Sequence, residues 1–193
     1  YPNKHITTGE GGMVLVDDEQ LQERCLLFRN LCHSKDRRFY HEELGYNFRM
    51  SNLQAAVGVA QLEKIEEHLK LKRETGRSYQ EKLKGVQGIQ LPLEQTEYAQ
   101  NLYWVFGLVL DKDVSWNAQE MMKKMMERNI GCRSFFYPMH LQPVFRKMGL
   151  FIGESYPVAE NLGERGFYIP SGLGLTEEQR GYIAEQVRDC IRQ

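Results

Sequence analysis

Apolar residues recur along the chain with two different periods, and together they outline an alternation of helices and strands. Leu21, Cys25, Phe28 and Cys32 lie at helical spacing, which predicts a helix through about residue 33. Asp17 is placed to cap it, with Gln20 in the capping-box position. A second helical stripe, Leu53, Ala56, Val57, Ala60, Ile65 and Leu69, begins behind a capping box of Ser51 and Gln54. The helical pattern runs on to about Leu83, where Gly85 and Gly88 end it, so one long helix is expected as the link between two domains. Its small residues Ala55, Ala56, Gly58 and Ala60 allow close approach by another element. Met121, Met122, Met125 and Met126 stripe a helix capped by Asn117 with Glu120. Ile183, Val187 and Ile191 stripe a last one capped by Thr176 with Gln179.

The strand signals fall between these helices. Met13 to Val16 is an apolar run fed by a turn at Gly9, Gly11 and Gly12, and reads as a buried strand. Ile89 to Pro92 reads as a short strand and turn. Leu102 to Leu110, aromatic and β-branched, is the strongest strand signal in the chain. Residues from Cys132 onward read as a strand leaving its sheet at Pro138, and Gly166 to Ser171 as a short strand near the end. The fold class that follows is α/β.

Bulk properties narrow the function classes. A chain of 193 residues can bury a sizeable core, as one large domain or two small ones. A formal charge of -1 with balanced composition carries neither a nucleic-acid footprint nor an acidic tail. No apolar run approaches the roughly 18 residues that a membrane helix needs, and the start has no signal-peptide pattern. Cys25, Cys32, Cys132 and Cys190 lack metal-type spacing, so no metal site is expected; Cys25 and Cys32 suit core thiols in a reducing cytoplasm. The charges from Glu63 to Arg77 read as a solvated helix face. The methionine stripe, which in another setting marks an adaptable groove, reads beside a strand as core. Gly172 and Gly174 lack the strand-then-helix context of a dinucleotide loop.

Candidate chemistry concentrates in a few stretches. Lys4 precedes the glycine turn and stands against Thr7 and Thr8, a place where an amine can be fixed and partly desolvated. Only a neutral amine attacks a carbonyl, and desolvation favours the neutral form. Gly45 to Asn52 should be extended up to the capping box, so Asn47 and Arg49 share one face while Phe48 and Met50 point the other way, into a core. An amide beside a guanidinium is a compact donor set for one anion; the alternative is that both cap neighbouring backbone. Lys35-Asp36-Arg37-Arg38 reads as a solvated loop, with a phosphate contact as the alternative. Tyr137 and His140 bracket Pro138 and suit a pocket rim, although a lone histidine is usually structural.

Asn3-Lys4-x-Ile6-Thr7-Thr8-Gly9-Glu10-Gly11-Gly12-Met13 resembles the segment around the cofactor lysine of the DegT/StrS sugar aminotransferases, fold-type-I pyridoxal phosphate (PLP) enzymes, and most of all the perosamine synthases. Gly45-Tyr46-Asn47-Phe48-Arg49-Met50 resembles the family's Gly-x-Asn-x-Arg-Met motif. Phe136-Tyr137-Pro138-Met139-His140-Leu141-Gln142-Pro143 resembles its Phe-x-Pro-Leu-His-x-Gln-Pro segment, with Met139 for the usual leucine. Ser155 to Glu160 followed by Gly166 to Ser171 matches its late segment.

The resemblance implies that Lys4 forms the Schiff base with PLP. It implies that Asn47 reaches the PLP phosphate of a neighbouring subunit, in a homodimer with a shared active site. Arg49 then lies near the substrate side, and Tyr137 and His140 border a nucleotide-sugar pocket. The implied reaction is transfer of an amino group from an amino acid, glutamate for example, to a nucleotide-linked keto-sugar. Amination is preferred over the dehydration of relatives with histidine in place of the lysine, because Lys4 is present. Residues 1–75 would be the C-terminal part of a large PLP-binding domain and residues 76–193 a small α/β domain. The family's acidic partner of the pyridine nitrogen, its ring-stacking aromatic and most of its phosphate cup belong to an N-terminal half that cannot be pointed to here. The alternative reading is therefore a non-catalytic C-terminal fragment that folds or dimerises but cannot hold PLP alone.

Overall fold

Alternation in the strongest strand signal becomes alternation of burial. Strand β2, Phe106–Leu110, buries Phe106, Leu108 and Leu110 and leaves Gly107 and Val109 half-buried. This computed structural model describes residues 1–34, 36–37 and 39–192. The described residues form two compact units, Tyr1–Glu66 and Glu67–Gln193.

The second unit carries the sheet. Strands β1 (Ile89–Gln90), β2, β3 (Arg133–Ser134) and β4 (Gly166–Ile169) lie in the order β1-β2-β4-β3, every pair antiparallel. Phe106 pairs with Ile169 and Leu108 with Phe167, which puts four apolar side chains on one face. Against them pack Tyr79 and Leu83 of α3 (Ile65–Leu83), Met121 and Met125 of α4 (Ala118–Met126), and Ile183, Ala184, Val187 and Cys190 of α7 (Glu177–Ile191). Met121 and Met125 are fully buried and form the core half of the methionine stripe, each contributing about 2 kcal/mol, whereas Met122 is half-buried and Met126, expected in the core, is exposed because it lies on the far side of the helix. The capping boxes at Asn117/Glu120 and Thr176/Gln179 form as the spacing predicts.

Buried donors hold the loops of this unit. Lys72, 9% exposed, donates from Nζ to the carbonyls of Trp104 at 2.9 Å and Ser171 at 2.6 Å. Tyr79 donates to the carbonyl of Pro170 at 2.8 Å. Arg165, at the end of α6 (Pro157–Arg165), donates to the carbonyls of Leu110, Asp111 and Val114. Helix α5 is short, Pro143–Lys147. All four cysteines are free, and burial pushes the Cys132 thiol up to about 12.

The first unit holds α1 (Glu19–Arg29) and α2 (Asn52–Leu62), and neither helix has a buried residue. Among its described residues only Cys32 is buried. Several expectations change here. Met13 to Val16 is not a buried strand: Met13 is 83% exposed, and no strand pairs with the run among the described residues. An apolar run becomes a strand only where another strand satisfies its backbone. Asp18, not Asp17, caps α1, accepting from the N–H of Leu21 at 2.7 Å. The helix stops at Arg29, because Leu31 and Cys32 take positive φ of 64° and 49°. Phe48, expected in a core, is 71% exposed and stacks on Tyr46 at 4.9 Å. The single long helix is two, broken at Glu63 and Lys64, with the division between units just inside α3. β2 begins at Phe106 rather than Leu102, since Tyr103 has φ 50°, outside the strand region. The strand expected before Pro138 is confined to Arg133–Ser134. Of the Lys35–Arg38 loop, Lys35 and Arg38 lie outside the described residues.

Candidate active site

Two short segments of the first unit meet on α2. The opening turn is knitted locally: Thr7 Oγ1 accepts from the N–H of Gly9 at 2.9 Å, and Thr8 Oγ1 donates to the carbonyl of Glu10 at 2.9 Å. Gly9 has φ 83°, the left-handed conformation glycine adopts without strain. The turn then rests on α2. Gln54 Nε2 donates to the Glu10 carbonyl at 3.1 Å, and Gly58 of the helix leaves room for the methyl of Thr8. At Gly11 a Cβ would collide with the Thr8 hydroxyl and the Met50 methyl, so the backbone there passes close to both.

The same helix anchors the Asn47–Arg49 segment. Its N-cap Ser51 accepts from the N–H of Gln54 at 3.3 Å, and Gln54 Oε1 accepts from the N–H of Ser51 at 2.9 Å. Upstream, the backbone is zipped to the end of α1. The N–H of Tyr46 donates to the carbonyl of Phe28 at 2.8 Å and the N–H of Phe48 to that of Arg29 at 3.1 Å. Asn47 also bridges Asn30. With the main chain fixed on both sides, residues two apart share a face, and Arg49 Nε donates to Asn47 Oδ1 at 3.1 Å. That bond engages the amide oxygen and leaves the NH2 end, with the guanidinium fork, as a donor set.

Lys4 lies exposed in the opening turn, so the expected partial desolvation is not present in this structure. An ammonium is desolvated only where walls close over it, and Lys4 stays exposed on its turn. Lys4, Asn47 and Arg49 thus belong to one unit, on segments that both pack on α2. Their chemistry, an amine and an anion-directed pair, fits a phosphorylated aldehyde cofactor in kind.

Tyr137 and His140 belong to the second unit. Tyr137 is 55% exposed, whereas His140, on the 3-10 turn Met139–Leu141, is 4% exposed. His140 Nε2 lies 2.9 Å from Glu160 Oε1. That oxygen also accepts from the N–H of Tyr156 at 2.8 Å and from Ser155 Oγ at 3.2 Å. The Tyr156 N–H bond, then the His140 contact, holds the Glu160 carboxyl below the ordinary carboxylate value.

Sequence reasoning did not single out Gln54 and Glu160 for these roles. Gln54 is legible as half of a capping box, but its bond to Glu10 spans 44 positions. Glu160 lies in a segment recognisable from the family, yet its pairing with His140, 20 positions away, needs the fold.

The comparisons with known proteins speak to the family and the fold. The profile of the DegT/DnrJ/EryC1/StrS aminotransferase family matches residues 1–188. GDP-perosamine synthase of Escherichia coli O157:H7 is 33% identical over 189 residues, covering 98% of this chain and 50% of that protein. EpsN of Bacillus subtilis, provisionally named a pyridoxal phosphate-dependent aminotransferase, is 32% identical over 184 residues, covering 95% of this chain and 47% of that one. Among solved structures, PseC of Helicobacter pylori, an aminotransferase of pseudoaminic acid biosynthesis, superposes with a TM-score of 0.87 at 22% identity, over 97% of this chain and 50% of that one. The mixed α/β fold is therefore that of part of a fold-type-I transferase. The chain spans about half the length of the curated relatives it matches. No helix among the described residues is long and apolar enough to cross a membrane.

Proposed function

Because the chain belongs to the DegT/DnrJ/EryC1/StrS aminotransferase family, we propose that it carries the lysine-bearing part of a PLP-dependent sugar aminotransferase. The protein would take an amino group from an amino acid such as glutamate and place it on a nucleotide-linked keto-sugar. The observation that carries this reading is the Asn47–Arg49 pair, bonded at 3.1 Å just ahead of the helix that also supports the Lys4 turn.

Each residue has a distinct task. Lys4 would hold the cofactor through Nζ, and once the incoming amino acid has displaced it, the freed amine would take and return the substrate's proton. The cofactor would supply an electron sink for that chemistry. The amide of Asn47 would donate to the cofactor phosphate of a neighbouring subunit, in a homodimer with shared sites. Arg49, Tyr137 and His140 serve the substrate side. A cytoplasmic setting suits four free cysteines.

A second reading rests on the exposure of Lys4 and on the span of half the relatives' length: the chain by itself is a folded piece that does not hold PLP. One experiment separates the two. The chain is mixed with PLP, reduced with borohydride and mapped by mass. An adduct confined to Lys4 is expected if the site selects that amine. Adducts spread over surface lysines would assign the activity to the longer protein alone, and an active longer protein carrying Lys4→Ala would overturn the aminotransferase reading.

A further inference from the structure

His140 is a poor candidate for touching a substrate directly. It is 4% exposed, its Nε2 is spent on Glu160 at 2.9 Å, and the ring of Tyr156 packs edge-on at 4.9 Å. A carboxylate only accepts, so the proton sits on Nε2 and the tautomer is fixed. The Glu160 oxygen is itself held by the N–H of Tyr156 and by Ser155 Oγ, both at the start of α6. Tyr156 in turn donates to Glu154 at 2.6 Å, and Arg146 Nε donates to the His140 carbonyl at 3.3 Å. His140 is thus held at its backbone carbonyl from α5 and at its imidazole from α6 and its head.

What projects from this gripped turn is Tyr137. It is 55% exposed and stands three residues before His140. Pro138 between them has a restricted φ of -57°, and Gln142 Nε2 donates back to the Tyr137 carbonyl at 3.4 Å. Fixing His140 therefore fixes the direction in which Tyr137 points.

We propose that Glu160 is a positioning residue, pinning His140 so that the Pro138 turn presents Tyr137 to the nucleotide-linked sugar. The inference rests on the aminotransferase reading above. It divides the two substrate-side candidates: Tyr137 makes the contact, and His140 with Glu160 aims it.

The test uses the intact protein that carries these residues, with the two half-reactions measured separately. Glu160→Ala should raise KM for the keto-sugar about tenfold while the amino-donor half-reaction stays within about twofold, since a misplaced contact weakens one substrate only. Glu160→Gln keeps an acceptor oxygen and should restore most of the loss. Tyr137→Ala added to Glu160→Ala should cost little more, because both act through one contact. If Glu160→Ala does not fold, His140→Gln carries the same measurements. An unchanged sugar KM, equal loss in both half-reactions, or independent effects of Tyr137→Ala and Glu160→Ala would each overturn the inference. A wild-type protein without a donor half-reaction would overturn the aminotransferase reading, and this inference with it. A competent wild type with an indifferent Glu160→Ala overturns the inference alone.

Discussion

Gln54 joins two segments that the sequence keeps 44 positions apart: its Nε2 donates to the Glu10 carbonyl at 3.1 Å while its Oε1 closes the capping box on Ser51. One side chain thus ends a helix and holds the turn that carries Lys4. Gln54→Glu keeps the cap but presents a carboxylate to the Glu10 carbonyl. Hydrogen exchange should rise over residues 1–12 and stay unchanged over α2. Gln54→Ala should loosen both, at about 1 kcal/mol for the lost side-chain bond to the Ser51 N–H. Unchanged exchange over residues 1–12 in both variants would show that the turn does not depend on this bond.

Arg49→Ala removes the donor that orients the Asn47 amide. Both residues are exposed, so stability should change by less than about 0.5 kcal/mol. PLP affinity of the longer protein, followed by its absorbance, should fall about tenfold. Arg49→Lys should recover only part of it, because an ammonium lacks the planar fork. Full affinity in Arg49→Ala would remove this pair from the cofactor site.

Gly76→Ala sets two effects against each other. Alanine in a helix interior is favoured over glycine by about 1 kcal/mol. At Gly76 the added Cβ would run into the ring of Tyr103, which is buried. Overpacking of this kind costs about 1–3 kcal/mol, so the variant should unfold at lower temperature or denaturant concentration. A gain in melting temperature would show that Tyr103 yields easily.

Glu177 ties α7 to α3. It bonds Lys82 at 2.6 Å and Arg180 at 2.7 Å and accepts from Ser78 at 3.2 Å. The Lys82 contact first, then Arg180, holds its carboxyl down at about 2, against an ordinary value of 4.5. A depressed pKa means the unfolded chain binds the proton first. The stabilisation is therefore complete above about pH 4.5 and is lost as the pH falls through about 2. The carboxylate is largely exposed, so salt screens it and its worth stays below about 1 kcal/mol. Glu177→Gln should flatten the acid limb of stability at low salt and match the wild type in high salt. An unchanged acid limb would count against this bridge.

The strand core and three of the four expected helix caps were legible in the sequence because they are local or periodic, the cap of α1 falling one residue later than expected. Leu102 to Leu110 announces β2 through its residue types, the methionine stripe announces the core face of α4, and three capping boxes form where Ser51, Asn117 and Thr176 place them. The shared face of Asn47 and Arg49 was also there to be read, since two-residue spacing in extended chain fixes it. The motif around Lys4 pointed to the family by residue order alone.

Tertiary structure decided the rest, because apolarity states only that a residue should be covered and not by what. Met13 to Val16 and the stripe of α2 have the composition of buried elements, yet they are unburied, for no described residue covers them. The same limit hid the long-range polar pairs. Glu160 with His140, and Lys72 with the carbonyls of Trp104 and Ser171, are set by which loops the sheet order brings side by side. A buried donor finds its acceptor only once the fold has excluded water from both.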